Sequence, residues 1–308
     1  MSTPPAAGLS APRKPIFELI ADPKASQTLP SLQEIVRELG QMMSKATTPL
    51  HGISALIRRD QSMSVKILRL ANSAYFAPTE PVLNVEQALL YLGLNQIRSS
   101  ILTAKCIEQT CRIPEGLITW KDFWEHSIGV GCVSRVLASK LREPLHNGET
   151  YYVMGLLHDI GKLVLASISP EDFEKTLIAA QGAKCPLSTV EFEILGTDHC
   201  ELGAWYLNQQ GLPDFIAQAV RLHHSWQAPE VFPLPACVIS LANLFSHSMG
   251  FGTSGSWHDE LENPYTSAEW KAYAKHCGVS DDEADADLQS YIDRELGQIH
   301  ALVDQLNS

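Results

Sequence analysis

"GLLHDIGKLVL", Gly155–Leu165, is an apolar segment with charged groups in its middle. Leu156, Leu157, Ile160, Leu163, Val164 and Leu165 require a core; His158, Asp159 and Lys162 do not. Burying an unpaired carboxylate or imidazole is costly, so something must satisfy that pair. Three answers are open from these residues alone: a metal ion, a hydrogen-bonded neighbour, or the closed-over remnant of a lost site.

The surrounding sequence is helical. "TYYVMGLLHDIGKLVLASI" (150–168) reads as one apolar helix through the pair. Before it, "WKDFWEHSIGVGCVSRVLASKL" (120–141) carries Phe123, Trp124, Ile128, Val130, Val133, Val136 and Leu137. After it, "PLSTVEFEILGTDHCELGAWYLNQQG" (186–211) reads as a helix capped at Ser188, with Glu191 completing a capping box, and running on to Gly211. "PDFIAQAVRLHHS" (213–225) is Pro-initiated, and "ACVISLANLFSHS" (236–248) follows a proline-rich loop. β-Alternation is nearly absent, so the fold class is all-α.

Residues 1–15, rich in Pro, Ala and Ser, read as a disordered leader. Residues 16–117 read as an N-terminal subdomain of short helices, with Val65, Ile67, Leu68 and Leu70 lining one of them. Asn84 and Asn95 are expected caps there. Residues 118–247 form the second helical subdomain. In 248–308, "MGFGTSGSWHDELENPY" reads as a mobile loop before an amphipathic helix with Leu288, Ile292, Leu296, Ile299, Val303 and Leu306 on one stripe. That stripe either packs on its own domain or pairs two copies of the chain.

Composition narrows the function. The chain has 308 residues and a formal charge of −12, which offers no basic footprint for nucleic acid. No apolar run reaches a membrane span and the N-terminal stretch lacks a signal peptide's apolar core, so the expected compartment is cytoplasmic. Seven cysteines at 106, 111, 132, 185, 200, 237 and 277 form no Cys-x-x-Cys pair and are expected as reduced thiols. Cys200 adjoins His199, with no partner in view that would activate it.

Polar residues within the apolar helices carry the chemistry: His126, the pair His158-Asp159, His199, and the pair His223-His224. Any one alone is an ordinary satisfied core histidine. Four segments each contributing such a group point to one shared metal site, since facing helices of a bundle can pool ligands. Histidine and carboxylate ligands suit one or two divalent ions such as iron, manganese, zinc or nickel, without choosing among them. Asp122 lies four residues before His126, on the same helix face. Lys162 could hold a phosphate or snorkel at a helix edge, and Asn243 interrupts the apolar 236–248 segment.

In order and spacing, "ILRLANSAYF", "ALLYLGLNQIRSSIL", "GLLHDIGKLVL" and "LGTDHCELGAWYLNQQGLPDFIAQAVRLHH" resemble the hallmark segments of the HDOD family over residues 29–247. That family is related to the HD and HD-GYP metal-dependent phosphohydrolases. The resemblance implies a helical N-terminal subdomain joined to an HD-like helical subdomain. It also implies a bacterial signalling module acting through protein partners bound by the N-terminal subdomain, in a family that often loses the HD metal ligands. Here most are kept: His126, His158, Asp159, His199, His223 and His224 fall on HD-GYP ligand positions. Asp122 falls where that family can place an acidic ligand, and Lys162 matches its catalytic-site lysine. Asn243 stands in place of the last ligand aspartate, and no Gly-Tyr-Pro motif follows the histidine pair. The alternative implied by the resemblance is a phosphohydrolase acting on a nucleotide or cyclic dinucleotide, with Asp159 and Lys162 as its catalytic groups.

Overall fold

The computed structural model describes residues 16, 61–72, 76, 78–93, 96–97, 103, 118–142, 147–227, 233–252, 254–255, 263–279 and 282–306. Every regular element among them is helical. The expected leader, the helices read before residue 61, and the Asn95 cap lie outside these residues.

In the N-terminal part, α1 (Gln61–Ala71) and α2 (Val85–Leu92) pack together. Asn84 caps α2, its side chain accepting the Gln87 N–H at 2.8 Å. Ile67, Ala71, Val82, Val85, Ala88, Leu89 and Ile97 form a small core of their own. Val65, expected on the apolar face, is instead half exposed. The Arg135 guanidinium donates to Gln96 Oε1, a Thr103–Tyr152 hydroxyl contact of 2.7 Å adds a second tie, and Phe76 and Leu92 pack against the large core, so polar and apolar contacts join this part to it.

The large core is built around α3 (Trp120–Ala138). Thr119 caps it, and its residues are buried nearly all round, as a hydrophobic helix must be when other helices surround it. α4 (Gly148–Leu157), capped by Asn147, packs along it. Gly155 permits that contact: a Cβ there would lie 2.8 Å from the Gly131 Cα and the Val130 carbonyl oxygen. α5 (Ile160–Ile168), α6 (Pro170–Ala183), α7 (Leu187–Leu195), α8 (His199–Gln209), α9 (Asp214–Leu222) and α10 (Leu234–Ser248) complete the shell.

Two helices expected to be continuous are broken. The 150–168 helix divides at His158-Asp159, where Asp159 leaves helical geometry at φ −98°, ψ 10°. The 186–211 helix divides at Gly196, whose φ of +73° ends α7, and restarts under the Asp198 cap. The expected Ser188 capping box does not form: α7 begins at Leu187 with no side-chain cap, and Glu191 is buried elsewhere. At Asp159 the tertiary contacts of the polar residues outweigh local helix preference, whereas at Gly196 the break follows local stop and cap residues.

The C-terminal region closes the core. After a short 3-10 turn (Pro264–Thr266), α11 (Ala268–Cys277) packs on α10, and α12 (Asp282–Leu306) packs on α3. Leu288, Ile292, Leu296 and Ile299 are buried in the same core, so this half of the amphipathic stripe is used within the chain. Within the segment expected as a mobile loop, Phe251 and Ser254 are buried. No helix among the described residues is long and apolar enough to cross a membrane.

Candidate metal centre

Asp159 stands where the break between α4 and α5 opens the backbone, and it is 2% exposed. Its Oδ2 accepts from Lys162 Nζ at 2.6 Å and from Ser254 Oγ at 2.6 Å. Lys162, 1% exposed, also reaches Ser254 Oγ at 3.2 Å. The lysine is therefore an interior counter-charge and not a helix-edge cation.

The histidines arrive from four helices. His126 is in the middle of α3, and His158 ends α4. His199 opens α8, and His223 ends α9 with His224 beside it. Close approach of α5 and α8 is possible because residue 161 is glycine: a Cβ there would stand 1.9 Å from the His199 carbonyl oxygen.

The ring nitrogens are ordered by what Nδ1 touches. His126 Nδ1 meets the Phe251 carbonyl at 3.0 Å, His158 Nδ1 the Gly155 carbonyl at 2.7 Å, and His223 Nδ1 the Val220 carbonyl at 2.6 Å. A carbonyl can only accept, so each Nδ1 carries the proton and each Nε2 presents a lone pair. His199 follows the same rule, with Nδ1 donating to Glu191 Oε2 at 2.5 Å and the backbone N–H donating to the same oxygen at 2.9 Å.

These Nε2 atoms face the Asp159 carboxylate. His158 Nε2 is 3.3 Å from Asp159 Oδ2, and His199 Nε2 and His223 Nε2 are 3.4 and 3.8 Å from Asp159 Oδ1. The His158 Nε2, His199 Nε2 and Asp159 Oδ1 atoms are buried without any hydrogen-bond partner. Buried acceptors converging without donors are what a cation satisfies. The ligand-type atoms fall into two groups, His126-His158-Asp159 and His199-Cys200-His223-His224, each within 4.8 Å internally. Asp159 faces both.

Electrostatics favour the ligand forms. Burial, reinforced by His158, pushes His126 down to about 3, and burial likewise holds His223 well below the usual histidine value. For Asp159 burial works the other way, yet His158 and Lys162 outweigh it and hold the carboxyl well below its usual range. His199 is the exception: burial lowers its pKa, but Cys200 and Glu191 outweigh burial and hold it well above the usual value, so its Nε2 gives up a proton when a cation binds. With His126, His223 and His224 neutral beside a charged carboxylate, the donor set suits a divalent transition ion.

His224 is exposed on one side, its ring 4.1 Å from that of His223. Asp122 is exposed on the first turn of α3 and joins neither group. Asn243 is buried on α10, with its side-chain oxygen lacking a partner. One turn on, His247 stacks on His126 at 4.4 Å between centroids, so Asn243 shares the helix face turned to the site.

Three contributors were not identified from the sequence. Glu191 was read as a cap, although its spacing of eight from His199 spans a turn that brings them together. Ser254 gave no signal within a Gly/Ser-rich loop, and His247 was not singled out. Cys200 was read as having no partner that would activate it; its Sγ lies 4.0 Å from His223 Nε2, and burial pushes the thiol up to about 11.

A helical shell that gathers histidines from several helices onto one buried aspartate defines an HD-type helical core. The sequence profile of the HDOD domain family matches residues 29–226, and the chain belongs to that family. The chain is similar to an HDOD domain protein of unknown function from Geobacter sulfurreducens, with a TM-score of 0.76, 22% identity and coverage of 90% of this chain and 92% of that one. A candidate phosphohydrolase from Shewanella amazonensis SB2B matches at a TM-score of 0.68 and 20% identity, covering 94% and 97%. An uncharacterised Treponema pallidum (strain Nichols) protein is 24% identical over 220 residues, 70% of this chain but only 42% of that protein's length.

Proposed function

We propose that the chain is a bacterial signalling module whose HD-type core keeps a divalent transition-metal site and which acts by binding protein partners. The observation that carries the metal site is the convergence of the His158 Nε2, His199 Nε2 and Asp159 Oδ1 acceptors, buried and without donors. When bound, the ion would lock α3, α4, α8 and α9 together at their shared centre and stabilise the core. His126, His158 and Asp159 would hold one ion, and His199, His223 and His224 a second against the other face of the same carboxylate, with Asn243 on the neighbouring helix face. The name of a candidate signal transduction protein from Marinobacter aquaeolei VT8, matched at a TM-score of 0.66 and 16% identity, is consistent with the signalling role. Leu83 and Leu90, each 75% exposed around α2, offer apolar surface for a partner on the N-terminal subdomain. A second copy pairing through α12 fits less well, because Leu288 to Ile299 are already packed within the chain.

A phosphohydrolase is the second reading, favoured by one observation: a single carboxylate between two groups of donors with a buried lysine on it. In that case a bound ion would supply Lewis-acid chemistry, and Lys162 would bind phosphate charge. Against it, Lys162 is engaged by Asp159 and Ser254, and Asn243 supplies a neutral amide where the HD-GYP enzymes carry a charged ligand. The deciding experiment assays iron- or manganese-loaded protein against phosphodiesters, nucleotides and cyclic dinucleotides. The regulatory reading expects metal-dependent stabilisation with no turnover. Turnover that is lost in His158→Ala would establish the enzyme.

A further inference from the structure

Cys200 lies outside the histidine–aspartate set from which the site was first read. It sits on the first turn of α8, 3% exposed, directly after His199. Its thiol is one of four ligand-type groups, with His199, His223 and His224, whose donor atoms lie within 4.8 Å of one another. Sγ is 4.0 Å from His223 Nε2. A tetrahedral ion with S and N ligands at ~2.3 and ~2.05 Å sets those two atoms about 3.5 Å apart, so this pair needs only about half an ångström of adjustment. The second, independent observation is His199 Nε2, which is buried without a hydrogen-bond partner while Glu191 holds the ring's other nitrogen. The thiol also has no disulfide partner.

We infer that Cys200 is a metal ligand, and that the two halves of the centre differ in chemistry: a harder His126-His158-Asp159 half and a softer His199-Cys200-His223-His224 half. This rests on the metal reading above and deepens it. A thiolate among imidazoles selects for zinc, iron or cobalt over manganese or magnesium, because soft sulfur bonds weakly to hard oxygen-seeking ions. The softer half is expected to fill first with zinc or cobalt and to release a thiol proton as it fills. The harder half is the one open to manganese.

Cobalt substitution tests this. Purified full-length protein is stripped, titrated with cobalt(II), and followed by absorption, with bound cobalt counted by elemental analysis. The expected result is an intense sulfur-to-cobalt charge-transfer band in the near ultraviolet, saturating with the first equivalent. In Cys200→Ser that band disappears, and the ligand-field bands of the remaining cobalt persist. Cobalt bound to the wild-type protein without a charge-transfer band overturns the assignment while leaving the metal site standing. A band that survives in a folded Cys200→Ser protein also overturns it, since the sulfur would belong to another cysteine. Absence of any bound cobalt removes the metal reading itself and this inference with it. If Cys200→Ser fails to fold, Cys200→Ala, which removes the sulfur without burying a hydroxyl, carries the same reading.

Discussion

Glu191 Oε2 receives two hydrogen bonds from the same residue, the backbone N–H of His199 at 2.9 Å and its ring Nδ1–H at 2.5 Å. A carboxylate on the far side of a histidine fixes the tautomer and raises the basicity of the other nitrogen. Burial opposes charging of His199, but Cys200 and Glu191 win and hold its pKa well above the usual histidine value. A more basic imidazole is a stronger ligand once a cation displaces the proton.

Replacing Glu191 by glutamine therefore acts on metal affinity. The amide oxygen can still accept both bonds at the Oε2 position, but the negative charge is lost. Affinity is expected to fall about 10- to 100-fold. A competition titration against a chelator reads this, and unchanged affinity would mean that Glu191 only packs α7 against α8.

Lys162→Met tests the interior ion pair. Asp159 and Lys162 are both buried, so removing the lysine leaves an uncompensated carboxylate beside acceptor nitrogens. Losing one partner of a buried pair costs about 3–5 kcal/mol. Denaturant unfolding should show a loss of that order in metal-free protein and a smaller one with metal present, because the cation substitutes for the lysine. Equal losses with and without metal would contradict a cation at Asp159.

Gly161→Ala tests the helix contact that assembles the centre. The added Cβ would fall 1.9 Å from the His199 carbonyl, and backbone must move to admit it. The expected cost is about 1–3 kcal/mol, as for other overpacked sites. Metal affinity should fall with it, since His199 is carried away from Asp159. Thermal unfolding and metal titration of the same sample check both effects.

Much of the fold and of the site was legible because apolar spacing and buried polar residues are local signals. The apolar richness of 120–141 and 236–248 gave α3 and α10, and the histidines marked the helices that meet. What stayed hidden depends on contacts distant in sequence. The break at Asp159 occurs inside a continuous apolar pattern, and local propensity has no means of sensing the counter-helix that stabilises it; the break at Gly196 did carry local signals, a left-handed glycine followed by the Asp198 cap. Ser254 reaches Asp159 across 95 residues, from a loop whose composition signals only flexibility. Asp122 shows the opposite error: it shares a face with His126 by spacing, yet it sits a full turn further out, in solvent.

The central claim is that the buried acceptors around Asp159 hold a metal ion. Elemental analysis of full-length protein purified without chelator, paired with its thermal unfolding before and after chelation, tests this most directly. The account predicts about one or two transition-metal ions per chain and a melting temperature that drops by several degrees on chelation, since ligand held at ~100 times its Kd stabilises by about 2.7 kcal/mol. Both effects should vanish in the double variant His158→Ala, Asp159→Ala. Metal-free protein whose melting temperature is unmoved by added iron, manganese, zinc or nickel would contradict the account.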